Sequence, residues 1–75
     1  MTYKFHVIVE KGPTEWQARC PTFAHLGAAT GGQTREEALT HIHTILVMIL
    51  RDYIAKGRDI PADTYDPNAI TIEVE

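Results

Sequence analysis

Seventy-five residues allow one small domain (1–75), and a chain of this length buries only about 60% of the surface it exposes when unfolded. At 44% hydrophobic and 23% charged it has the composition of an ordinary globule, with little room for a deep substrate pocket. The net charge of −3 is unevenly placed: no Lys or Arg follows Arg58, while Asp59, Asp63, Asp66, Glu73 and Glu75 do. That balance argues against direct binding to a phosphate backbone, which needs clustered cations, and suits a basic partner.

The single cysteine, Cys20, excludes an internal disulfide framework and a cysteine-rich metal site. The first residues, MTYKFHVIVE, alternate and lack the apolar run of a signal peptide, and the longest apolar run, Ile45 to Leu50, is far short of a membrane span. A cytoplasmic protein without membrane contact is expected.

Tyr3 to Glu10 alternates, with Tyr3, Phe5, Val7 and Val9 inward and Lys4, His6, Ile8 and Glu10 outward, the signature of a half-buried strand. Lys11 to Thr14 is a turn. Glu15 to Cys20 alternates again, with Trp16, Ala18 and Cys20 inward, and completes an antiparallel hairpin. Pro21 stops this strand; Phe23 and Leu26 anchor the connector that follows, and a short third strand spans Ala28 to Gly31.

Thr34-Arg35-Glu36-Glu37 fits a capping box, a threonine cap with a glutamate three residues later. Ala38, Leu39, Ile42, Ile45, Leu46, Ile49 and Tyr53 form one stripe at spacings of three and four, and Gly57 suits the C-terminal stop. The helix Arg35 to Lys56 is about 33 Å long at 1.5 Å per residue. A polar loop with Pro61 and Pro67 leads to a last strand, Ala69 to Glu75, with Ile70, Ile72 and Val74 inward.

The expected fold is α+β, in the order β-β-β-α-β. Three strands form an antiparallel meander, the helix crosses one face, and the fourth strand lies beside the first and parallel to it. The spatial order is 3-2-1-4, with the second face open.

The two glycines ahead of the helix raise the possibility of an anion cradle. Glu36 and Glu37 in the first turn would repel a phosphate, and no lysine follows the glycines, so the pair reads as punctuation between strand and helix.

In the strand Tyr3 to Glu10, the arm Trp16-Gln17-Ala18-Arg19-Cys20-Pro21, the helix entry Gly32-Gln33-Thr34-Arg35-Glu36-Glu37-Ala38-Leu39 and the exit Gly57-Arg58-Asp59-Ile60-Pro61, the chain resembles the HicB-type antitoxin family. The pieces cover most of the chain, in the family's order and spacing; Ala24-His25 stands where the family usually has Pro-Gly. The resemblance implies a partial RNase H-like fold and one half of a type II toxin–antitoxin pair. Its partner would be a small basic ribonuclease toxin (HicA-like), bound and neutralised by protein–protein contact. Many members carry a C-terminal DNA-binding domain; no counterpart follows here, so direct DNA binding is not expected.

Catalysis and cofactors are not expected. A nuclease needs carboxylates converging on metal ions, whereas Glu10 ends the first strand, Asp52 lies late in the helix, and Glu73 and Glu75 lie on the outer side of the last strand, with no obvious cluster. His41 and His43 point about 200° apart on a helix and do not share a metal. Cys20 faces inward as a small buried residue, and Trp16, Tyr3 and Phe5 belong to the core rather than to a base-stacking platform.

Contact with other chains is left to the surface. Asp63, Asp66, Glu73 and Glu75 are the expected partner-binding carboxylates. Val47 and Met48, outside or at the margin of the core stripe, and Ile70 and Ile72 on a free sheet edge are the expected homo-oligomer contacts. The alternative is a small oligomeric scaffold or regulatory domain without a toxin; a metal-dependent nuclease ranks below both.

Overall fold

The fold is that of a computed structural model, which describes residues 3–63 and 69–74. Its elements are β1 (Tyr3–Lys11), β2 (Trp16–Arg19), a short kinked 3-10 segment (Pro21–Leu26), β3 (Ala29–Gly32), α1 (Arg35–Ala55) and β4 (Ile70–Val74). The four strands form one sheet in the order β3-β2-β1-β4, as expected from the sequence, and α1 lies across one face.

The long strand β1 is shared between two partners. Its second half, Ile8 to Lys11, pairs with β2, and its first half, Tyr3 to Val7, pairs with β4. Beside the first half, the 3-10 segment stands where β2 would otherwise continue, because Pro21 ends the strand and supplies a preset φ at the first turn. Phe23 from this segment is fully buried, edge-on to Phe5 at 5.1 Å and to Tyr53 at 5.7 Å. Leu26, the other expected anchor, is 47% exposed instead.

The helix starts and stops as its ends dictate. The Thr34 hydroxyl accepts the Glu37 N–H at 3.1 Å, and the Glu37 carboxylate accepts from the Gln33 N–H, one residue earlier than in the standard capping box. At the other end Gly57 has φ of 64°, its N–H donates to the Ile54 carbonyl, and the Arg58 N–H donates to the Tyr53 carbonyl. These are the paired bonds of a Schellman cap. Ala38, Ile42, Leu46, Leu50 and Tyr53 are buried against the sheet. By length and composition the helix would also suit a bilayer, with mean hydropathy 1.2.

Gly32 has a second role beyond punctuation. It closes β3 directly beneath the first turn of α1, where a Cβ would come within 2.6 Å of the Ala38 nitrogen. Only a residue without a side chain lets the helix begin that close to the sheet.

Three further expectations are corrected. First, β4 runs antiparallel to β1, with Val7 opposite Ile70 and Tyr3 opposite Val74. The helix finishes near Phe5, where Tyr53 meets Phe23, so a strand entered from there would run parallel to β1. The connector is long enough to double back: Asp63 is fixed beside His6, and β4 enters at Val7 and runs towards Tyr3. Second, Ile8 is only 8% exposed although it lies on the face away from the helix. Arg19 stands directly opposite it, and His6 and Glu10 flank it on the same face. Third, Val47 is half-buried against the core rather than outside it, next to buried Leu50.

Candidate partner-binding surface

The face of the sheet away from α1 is polar. Lys4 and Glu73 face each other across β1 and β4 at 3.8 Å, and Arg19 reaches Glu10 at 3.3 Å. All four side chains are about half exposed or more, so each pair is worth about 1 kcal/mol at most. Glu73, expected to meet a partner, is 65% exposed but already opposite a lysine.

Asp63 is turned back onto β1 and the 3-10 segment, with its side chain 26% exposed. Its carboxylate accepts the His6 backbone N–H at 3.0 Å, the Thr22 hydroxyl at 3.0 Å and the His6 ring through Nδ1. Burial pushes this carboxyl up, but the His6 amide, the His6 ring and the Thr22 hydroxyl favour the charged form and hold it below the ordinary range. Asp63 is therefore a tie that fastens the connector to β1, a use that its charge alone did not signal. Asp66 and Glu75 lie outside the described residues.

The expected oligomer contacts divide. Met48 is 64% exposed, while Val47, Ile70 and Ile72 are half-buried. Val47 and Met48 project about 100° apart around the helix axis, so they do not form one patch. Val47, Leu50 and Ile54 share a stripe, and Ile54 is 59% exposed. His41 lies on the opposite flank, where its Nδ1 donates to the Gly31 carbonyl at 2.7 Å. His43 does not join it, in line with their helical spacing.

Two shallow hollows of about 310 and 260 Å³ adjoin along β2 and β3. The first is bordered by Gln17, Arg19 and Thr30; the second is more apolar and borders Cys20, Pro21 and Ala28. Cys20 is 1% exposed, and burial pushes its thiol up, away from a reactive thiolate. Among the described residues no three His, Cys, Asp or Glu side chains converge on a common point, and no buried side-chain N or O lacks a partner. Phe5 is buried, and Tyr3 and Trp16 pack half-buried against the core as expected.

Compared with family models, with curated proteins and with solved structures, the chain matches none.

Proposed function

We propose that this chain is an antitoxin-like binding module of the type II toxin–antitoxin class, which holds a small basic ribonuclease toxin by surface contact and keeps it from RNA. The observation that supports this best is where the fold leaves its exposed groups. The helix-free face of the sheet is broad and polar, with Lys4, Glu10, Arg19 and Glu73 all reaching solvent. Among the described residues Glu15, Glu36, Glu37 and Asp59 are in no ion pair, and neither are Lys11, Arg35, Arg51 and Arg58, so the acidic excess lies in the segment after Arg58. After Arg58 there is no Lys or Arg, and the charged side chains of residues 59–75 are all acidic: Asp59, Asp63, Asp66, Glu73 and Glu75. Carboxylates on such a surface compete with RNA phosphates for a toxin's Lys and Arg, and a cytoplasmic setting belongs to the same reading. The resemblance of the two hairpin arms, the helix entry and the helix exit to HicB-type antitoxins points the same way.

The test is co-purification with the product of an adjoining gene that encodes a small basic protein. A stable complex whose affinity falls steeply with added salt is the expected result. A complex that fails to form at low salt, with both proteins folded, overturns the reading and leaves a scaffold without a toxin as the better one.

A further inference from the structure

We propose that the outer edge of β4 is the docking site for a second copy of this chain, strand against strand about a two-fold axis, so that two four-stranded sheets become one. This inference stands apart from the antitoxin reading and does not need a toxin.

The ladder shows which backbone groups are on offer. The His6 N–H is taken by Asp63, so the pair His6–Thr71 does not exchange backbone bonds. Antiparallel pairs alternate, so Ile70 and Ile72 bond to β1 while the N–H and C=O of Thr71 and Glu73 point outward. Among the described residues no strand pairs with β4 on that side.

The two edges of the sheet differ in how they are guarded. At β3 the strand is Ala-Thr-Gly-Gly, poor in strand formers, and the His41 ring already occupies the Gly31 carbonyl. At β4 the strand is Ile-Thr-Ile-Glu-Val, four of whose five residues are β-branched, with no proline and no lysine to discourage pairing.

The sequence of β4 also complements itself. Two copies related by a two-fold through Ile72 bring Ile72 opposite Ile72, Thr71 opposite Glu73, and Ile70 opposite Val74. The outward groups of Thr71 and Glu73 then meet as two fully bonded pairs, and Ile72 forms the close unbonded pair between them. No carboxylate faces its own copy, and Glu73 meets a threonine hydroxyl while Lys4 stays on its other side. On the helix side, the half-buried Ile70 and Ile72 lose their remaining exposure. The stripe Val47–Ile54, opposite the flank that holds β3 through His41, faces the same half of the sheet.

The experiment is sedimentation velocity on the wild-type chain, on Thr71→Pro and on a Cys20→Ser/Ile72→Cys double variant. The proline removes an N–H that points away from β1, so the fold is kept while the outer ladder is broken. A wild-type dimer at micromolar concentration that becomes a monomer in Thr71→Pro, with an unchanged circular-dichroism spectrum, is the expected result. Oxidised Ile72→Cys should run as a covalent dimer, since the unbonded pair lies within disulfide reach. Cys20→Ser/Glu73→Cys should not, its sulfurs being set on a diagonal. A wild-type monomer at millimolar concentration, a Thr71→Pro dimer or absence of the Ile72→Cys cross-link overturns the proposal. Should Thr71→Pro fail to fold, the cross-linking pair decides alone.

Discussion

Asp63 accepts the backbone N–H of His6 at 3.0 Å just where the β1–β2 ladder has ended, so that a side chain 57 residues away does the work of a missing strand. The same carboxylate holds the Thr22 hydroxyl, which ties the connector after α1 to both β1 and the 3-10 segment.

Asp63→Ala should therefore lower stability by about 1–2 kcal/mol, the net worth of the hydrogen bonds lost from a partly exposed group. The effect has a pH signature. The folded carboxyl lies below its ordinary range, so the stabilisation is complete above the unfolded value, near pH ~4, and is lost as pH falls through the folded one. Urea denaturation of wild type and variant at neutral pH and in acid checks this: the gap between the curves should close in acid.

Gly32→Ala should cost about 1–3 kcal/mol, because the new methyl meets the Ala38 nitrogen at 2.6 Å and backbone at a helix start cannot swing aside. Gly31→Ala should cost less, since its nearest obstacle is the far end of the Glu15 side chain. Thermal melts of the two variants give the comparison.

Leu46 is fully buried in the centre of the α1 stripe, whereas Met48 two residues on is mostly exposed. Leu46→Ala should lose about 2–5 kcal/mol and Met48→Ala less than about 0.5 kcal/mol. Equal losses, measured by chemical denaturation, would mean that the helix is rotated from the placement described.

Cys20 should react with an aromatic disulfide reagent only as fast as the protein opens. Its thiol is sealed under β2 and the 3-10 segment and pushed away from ionisation. Timed labelling in buffer against labelling in denaturant checks this, with an increase of about 100-fold or more expected on unfolding.

Much of the fold was legible in the sequence because its signals are local. Thr34 with Glu37, the stripe from Ala38 to Tyr53, and Gly57 act within a few residues of one another, and so do the alternations in β1, β2 and β4. What was not legible depends on distant parts of the chain. The direction of β4 follows from a connector anchored at His6, and Ile8 is buried on the face that its alternation marks as outward. Charge alone could not show that Asp63 is tied to His6 and Thr22 or that Glu73 faces Lys4. The apolar surface was half legible: Met48 is exposed as expected, but Val47 leans on the core beside Leu50.

The central claim, that this small domain acts by covering another protein, is tested most directly by an RNA-cleavage assay. The adjoining gene's basic ribonuclease is titrated with the purified chain at low salt. Cleavage that falls to background near equal molar amounts, and returns when salt separates the two, is the predicted result. Cleavage that continues at full rate in the presence of excess folded chain would contradict the account.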